Sequence, residues 1–237
     1  MLSWLYPNTC RLCGEACEDG LCERCRGTLL RMPRPLCLHC GAPLGDYPAA
    51  ADTCRECCAY PREYDYARQV LLRSDDAMQL VHDLKYHGAG YLARDFALLL
   101  NELWETCTPL RRAAHPVLVP VPITRARLFD RGYNQAAEIA EALGRLRGLP
   151  VLPALVHRDT GVASQTRLTV QQRQENARRA YHPAPACLAG RLILPDHVIL
   201  VDDVYTTGAT ARACAAALKS LPGKRTVGVL AVLRAGK

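Results

Sequence analysis

The stretch VILVDDVYTTGAT, from Val198 to Thr210, sets two adjacent carboxylates beside three threonines and a glycine. Each residue type has a chemical use. Asp202 and Asp203 cannot both serve an anion, because like charges repel. They call for hydroxyl donors or a cation, such as the vicinal hydroxyls of a sugar or a hydrated Mg2+. Thr206, Thr207, Gly208, Ala209 and Thr210 stand where a strand turns into a helix. Free backbone N–H groups and the positive end of the helix dipole meet there. Gly208 lets the backbone approach a ligand, and the threonine hydroxyls add donors, so the turn suits a phosphate monoester. The Walker lysine is missing, so a P-loop nucleoside triphosphatase is not implied. A phosphate at one end and two hydroxyls at the other describe ribose 5-phosphate.

A second constellation is made of cysteines. The chain has 13, and ten of them lie between Cys10 and Cys58. CRLCG at Cys10 to Gly14 recurs as CLHCG at Cys37 to Gly41, and each is followed by a second pair, Cys22 with Cys25 and Cys54 with Cys57. A Cys-x2-Cys knuckle supplies two of the four tetrahedral ligands that zinc requires. The simplest pairing gives one Zn2+ to Cys10, Cys13, Cys22 and Cys25, and a second to Cys37, Cys40, Cys54 and Cys57. A crossed pairing stays open, and Cys17 and Cys58 are spare. Reduced structural thiols would leave this apolar-poor segment without a core; an iron–sulfur cluster is the lesser alternative. Four thiolates per ion leave no open position, so the metals are read as structural rather than catalytic.

Other elements must position these groups. DYARQVLLR, HPVLVPVP, PVLPALVHR, DHVILVDDV and RTVGVLAVLRA read as strands. DAMQLVHDLKYHG reads as a helix with Met78, Val81, Leu84 and Leu80 on one face and Gly88 past its end. YLARDFALLLNELWETC, NQAAEIAEALGRLRG and ATARACAAALKSL read as helices too. Strands alternating with helices imply a parallel sheet covered on both faces, with ligands beyond the carboxyl ends of the strands. Residues 158–180, polar and rich in Gln and Arg, read as a long excursion over such a site. The expected division is 1–63 for the cysteine-rich module and 64–237 for the α/β domain.

Charge narrows the partners. Residues 1–64 are formally −1, and metal-bound thiolates make that region more acidic still. The basic excess lies further on, with twelve Arg against five Asp and Glu over residues 111–180. That surface calls for phosphates or nucleic acid, and Tyr133 and Tyr181 are available to stack on bases. MLSWLYPNTC has neither the basic start nor the long apolar run of a signal peptide. No apolar stretch reaches the ~20 residues that cross a bilayer, so the chain reads as cytoplasmic.

VILVDDVYTTGAT closely resembles the 13-residue signature of type I phosphoribosyltransferases, which bind 5-phosphoribosyl-1-pyrophosphate (PRPP). With it stand the knuckles, LKYHG with Lys85, PVP, RGYNQ from Arg131 to Gln135, Gln165, and QQRQENARRAY with Arg173 and Asn176. Together these resemble the ComF family over nearly the whole chain. The resemblance implies a type I phosphoribosyltransferase fold behind a double zinc ribbon. It implies that Asp202 and Asp203 hold the ribose hydroxyls and that Thr206 to Thr210 cradle the 5′-phosphate. Pro122 and Ile123, within Pro120 to Thr124, would meet the pyrophosphate with Mg2+, and Arg125, Arg127 and Arg131 would neutralise it. Asp202, Asp203 and Arg131 are the residues assigned to any transfer chemistry. Gln165, Arg173 and Asn176 would belong to a flexible loop closing over the site.

Function follows from the same resemblance. ComF-like proteins are linked to uptake of transforming single-stranded DNA, so single-stranded DNA and DNA-uptake proteins are the implied partners. Two other readings stay open: a phosphoribosyltransferase of nucleotide salvage with an unnamed acceptor, and a zinc-ribbon adaptor whose transferase fold is vestigial. Purine-salvage enzymes of this fold carry a carboxylate where this chain has Thr206, which argues against purine salvage. The intact carboxylate–threonine–glycine loop argues against the adaptor.

Overall fold

The computed structural model describes residues 9–45, 52–59, 63–153, 155–159, 180–189 and 195–236. Two short helices, α1 (Glu23–Thr28) and α2 (Arg55–Ala59), belong to the cysteine-rich region. The body begins with β1 (Tyr66–Leu72), α3 (Asp75–Tyr86), α4 (Leu92–Thr106), α5 (Thr108–Arg111) and β2 (Val117–Pro120). It continues through α6 (Arg125–Arg131), α7 (Gln135–Arg147), β3 (Val156–Arg158), β4 (Tyr181–Pro183) and α8 (Pro185–Leu188). β5 (His197–Tyr205), α9 (Ala209–Lys219) and β6 (Thr226–Arg234) complete it.

Four strands form one sheet in the order β1-β6-β5-β2, with every pair parallel. Parallel strands need helical crossovers, which bury both faces and explain the near-continuous apolar runs. Alternate residues divide between two cores. Ile199, Val201, Leu230 and Val232 pack with Leu80, Phe96, Leu99, Ile139 and Leu143 of α3, α4 and α7. Val198, Leu200, Val227 and Val229 pack with Ala211, Cys214, Ala215 and Leu218 of α9. The expected parallel sheet flanked by helices, behind two four-cysteine clusters, is the observed architecture.

Two local expectations are corrected. Met78 is exposed, and Ala77 takes its place on the buried face of α3 with Leu80, Val81 and Leu84. Ala77 is a helical step from Leu80 and Val81, whereas Met78 is turned about 100° further round. PVLPALVHR does not join the main sheet. Only Val156–Arg158 is a strand, and it pairs antiparallel with β4, His157 opposite His182. Pro150 and Pro153 lack the N–H groups that a continuous ladder requires, and Val151 keeps a single bridge to Leu118.

The cysteine-rich region covers the free edge of β1. Met32 N donates to Val70 O at 3.1 Å, Leu72 N to Leu30 O at 2.8 Å and Ala67 N to His39 O at 2.5 Å. An edge paired in this way no longer offers its backbone to other chains. Among the described residues, no helix is long and apolar enough to cross a membrane.

Candidate functional site

A cleft of about 310 Å³ opens beyond the carboxyl ends of β5 and β2. Asp202 and Asp203 form part of its wall at the end of β5, with Asp203 buried and Asp202 half-buried. Asp203 N donates to Asp202 Oδ1 at 2.9 Å, which turns the first carboxylate along the strand. Lys85 Nζ, from the last turn of α3, lies 2.8 Å from Asp203 Oδ2, close enough for an ion pair although not aligned for a hydrogen bond. Desolvation, and then the neighbouring Asp203 charge, push the Asp202 carboxyl up to about 8, with Lys85 pulling the other way. This pair is therefore short of positive charge, which a cation or a hydroxyl-rich ligand would relieve.

The threonine turn follows directly. Gly208 takes the left-handed conformation at φ +72°, and a Cβ there would fall 2.3 Å from Tyr205 Oη. Only glycine fits on both counts. α9 starts at Ala209 without a side-chain cap from Gly208, and Ala209 N reaches Thr207 Oγ1 at 3.4 Å. Thr206 and Thr210 line the cleft. Pro122 and Ile123 line the opposite wall, after β2, with Arg127 and Arg131.

The RGYNQ stretch holds that wall in place. Asn134 caps α7, accepting from Ala136 N at 3.0 Å, while its Nδ2 donates to Val121 O at 3.0 Å. Arg131 donates to Gln135 Oε1 and to Tyr86 Oη, each at 3.0 Å, and its guanidinium lies 4.8 Å over the Tyr86 ring. Gly132 ends α6 in the left-handed conformation. Arg158 also lines the cleft, with its guanidinium 5.2 Å over the Tyr181 ring.

The residues expected at the site thus converge in large part. Asp202, Asp203, Thr206, Thr210, Pro122, Ile123, Arg127 and Arg131 share the cleft. Thr207, Gly208 and Ala209 shape the turn behind them, and Arg125 does not line the cleft. Gln165, Arg173 and Asn176 lie outside the described residues. Of the two tyrosines read as stacking candidates, Tyr181 is buried along the cleft wall, and Tyr133 is half-buried with its hydroxyl donating to Leu84 O. In the sequence Lys85 stands out only as part of LKYHG. Its pairing with Asp203 spans two distant elements and left no local signal.

Both cysteine groups assemble as the simplest pairing expects. Cys10, Cys13, Cys22 and Cys25 form one cluster, and Cys37, Cys40, Cys54 and Cys57 the other. Cys13 Sγ and Cys22 Sγ are 3.8 Å apart, and Cys40 Sγ and Cys54 Sγ 3.6 Å. Thiolates about 2.3 Å from a shared tetrahedral ion would lie at such distances from each other. Backbone donors also face the sulfurs: Cys25 N to Cys22 Sγ and Cys54 N to Cys37 Sγ, both at 3.4 Å. The donor set fits two structural zinc ions. His82, Asp83 and His87 form a third group, but the Asp83 oxygens are already engaged by Arg11 at 2.6 Å and His87 at 2.7 Å.

Comparison with known proteins agrees with this arrangement. Residues 1–58 match the family described as the double zinc ribbon domain. The chain is 27% identical to Competence protein F of Haemophilus influenzae, over 86% of each chain. It is 29% identical to the DNA utilization protein YhgH of Salmonella typhi, over 88% of this chain and 86% of that one. It is 24% identical to Competence protein ComFC of Bacillus subtilis, over 81% of this chain and 75% of that one.

Proposed function

The chain belongs to the ComF family, and on that premise we propose that it serves DNA uptake by binding PRPP in the cleft and single-stranded DNA on its basic surface. The observation that carries the first half is the single cleft shared by Asp202, Asp203, Lys85, Thr206, Thr210, Arg127 and Arg131. Asp202 and Asp203 accept from the ribose hydroxyls, and Lys85, 2.8 Å from Asp203 Oδ2, adds a positive charge beside them. The turn from Thr206 to Thr210 takes the 5′-phosphate on hydroxyl and backbone donors. Pro122 and Ile123 bring the backbone against the pyrophosphate, while Arg127 and Arg131 neutralise it. Mg2+, when bound with this ligand, adds charge neutralisation on the diphosphate.

Binding is the primary reading, and transfer to an acceptor the secondary one. A transferase needs a group to take up the acceptor's proton, and Thr206 supplies no carboxylate at the loop position where purine-salvage enzymes carry one. If transfer does occur, Arg131 is the residue placed to stabilise the departing pyrophosphate.

One observation favours DNA on the outside of α6. That helix buries none of its residues, and Phe129 is 90% exposed. Arg125 stands one helical turn before it, away from the cleft-lining Arg127 and Arg131. An exposed aromatic beside arginine is the pairing that stacks on unpaired bases. We keep residues 1–63 and 64–237 as separate functional units, the first a structural and docking module, the second the ligand-binding body.

PRPP with Mg2+ is expected to raise the melting temperature, and Asp202→Ala with Asp203→Ala to abolish the shift. An equal shift in the double variant would remove the ribose-site reading. Single-stranded DNA affinity is expected to fall steeply with salt. It should also weaken in Phe129→Ala by about 1–3 kcal/mol, the range for one stacked base. A flat salt response or unchanged binding would remove the DNA-surface reading.

A further inference from the structure

Two arginines flank the second cysteine cluster in an unusual electrostatic state. Arg68 on β1 is 8% exposed and Arg234 at the end of β6 is 3% exposed. Neither has a carboxylate partner among the described residues. Arg68 donates to the carbonyls of Ala67 at 2.7 Å, Leu38 at 3.0 Å and Cys37 at 3.5 Å. Arg234 donates to Cys40 O at 3.1 Å and to Gln69 Oε1 at 3.3 Å. Carbonyls satisfy the N–H groups but do not cancel the charge, and a guanidinium does not shed its proton inside a protein. A buried charge without an opposite charge nearby is strongly unfavourable. The four thiolates of Cys37, Cys40, Cys54 and Cys57 on one divalent ion are dianionic. Two guanidiniums beside them balance that charge.

Arg234 has a second neighbour. Its guanidinium lies 5.2 Å over the ring of Tyr205, its register partner across the sheet. Tyr205 Oη is 2.7 Å from Tyr64 Oη, and the same ring sits where a Cβ on Gly208 would be. An unbroken line of packed groups therefore runs from the Cys40 carbonyl through Arg234 and Tyr205 to the threonine turn.

We propose that Arg68 and Arg234 are the charge partners of the second cysteine centre, and that Arg234 transmits the metal-loaded state of that centre through Tyr205 to the turn at Thr206–Thr210. Without metal, two buried positive charges lose their counter-charge, Arg234 leaves Tyr205, and the turn loosens. The first centre has no such buried hold: Arg11 pairs with Asp83 and Arg26 with Asp95, while Arg24, which faces Cys13, is exposed and pairs with Glu15. The significance of the turn rests on the ribose-phosphate reading, but the contacts that reach it do not.

The test uses the zinc-loaded full chain, its Arg234→Met and Arg234→Lys variants, and a chelator titration followed by hydrogen exchange. Exchange over residues 9–29 and 36–45 reads metal release from each centre separately. Arg234→Met is expected to weaken the second centre's hold on zinc by about 10- to 100-fold, the usual effect of losing an outer-shell partner. The first centre should be unchanged, and Arg234→Lys should recover part of the loss. Exchange at 205–210 should quicken in Arg234→Met and in wild type once the second centre is emptied, and stay slow when only the first is emptied through Cys13→Ser with Cys22→Ser. Unchanged zinc affinity, or an equal loss at both centres, overturns the charge partnership. Slow exchange at 205–210 with the second centre empty overturns the transmission. Failure of wild type to bind PRPP would overturn the ligand reading alone and leave these outcomes standing.

Discussion

The first cysteine centre meets the body through acids. Asp95, fully buried in α4, accepts from Gly20 N and from Arg26, each at 3.1 Å, and Asp83 of α3 holds Arg11 at 2.6 Å. The second centre meets it through arginines, with Arg68 and Arg234 donating to knuckle carbonyls. The ribbons repeat each other in sequence, yet the body grips them with opposite charge. At the first, the docking arginines Arg11 and Arg26 find carboxylates, so these contacts do not draw on the metal. At the second, the opposite charge comes from the metal–thiolate cluster itself. Two similar modules thus differ in whether the rest of the protein can register their loading.

The largest test of this contrast is Asp95→Ala. It strands the Gly20 amide and leaves Arg26 with Asp19 alone, at 3.6 Å, and loss of one partner from a buried pair costs about 3–5 kcal/mol. Urea denaturation should show a drop of that order, with part of it recovered in Asp95→Ala combined with Arg26→Met. A loss below about 1 kcal/mol would mean that the first ribbon is held by apolar contact instead.

A smaller difference should separate the two docking glycines. A Cβ on Gly20 would meet Leu92 Cδ2 at 2.7 Å, Asp95 Oδ2 at 2.8 Å and Tyr91 Cδ2 at 2.8 Å, which are side-chain atoms rather than backbone. A Cβ on Gly41 would meet the Ala67 carbonyl at 2.7 Å, and its backbone is left-handed at φ +70°. Overpacking costs about 1–3 kcal/mol, and a left-handed alanine adds roughly 1–2 kcal/mol. Gly41→Ala should therefore destabilise more than Gly20→Ala by about 1 kcal/mol or more in thermal melts. Equal losses would show that the β1 edge yields as easily as side chains do.

The exposed end of the first dock is worth less. Arg11 is partly solvated, so its pair with Asp83 contributes up to about 1 kcal/mol. The hydrogen bond from Arg11 holds the Asp83 carboxyl below the usual carboxylate range. Its contribution is therefore present above the unfolded pKa and fades as pH falls through the lowered folded value. Arg11→Ala should move that acid limb to higher pH, read as stability differences from wild type on acid titration. Coincident limbs would mean that the pair is a surface contact of no consequence to the dock.

What could be read from sequence follows how local each feature is. Knuckle spacing is a short-range geometric demand, so the eight ligand positions were legible, while which knuckles share an ion is a long-range matter that spacing left open. A strand ending in Asp202 and Asp203 and turning at Gly208 into α9 is equally local, and it placed the cleft. The arginines were not legible. Arg68 in YARQVLL looks like the solvent side of an edge strand, because nothing in those letters says that a knuckle will cover it. Lys85 reaches Asp203 from a different helix, and β3 left the main sheet under the influence of prolines that its apolar residues concealed. α6 is intermediate: its arginines were expected to act together, whereas helical phase turns Arg127 and Arg131 to the cleft and leaves Arg125 outside.

The smallest effect expected is in the titration of Asp202, and it carries the contrast to its far end. The carboxyl sits at about 8, raised first by desolvation and then by Asp203. A ligand that needs the pair ionised gains affinity as pH rises toward that value and levels off above it. For stability the sign is opposite: the unfolded chain gives up this proton near pH 4 and the folded chain near 8. Between the two the folded state holds the extra proton, so rising pH costs stability. Loosening the turn admits water, and water lowers the value. Affinity for PRPP with Mg2+, measured by calorimetry from about pH 6.5 to about 9.5, should show its midpoint at lower pH in Arg234→Met. In Cys13→Ser the midpoint should stay with wild type. Equal movement in both variants would mean that the two centres act on the cleft alike, and the opposite charges of their docks would then be a matter of packing alone.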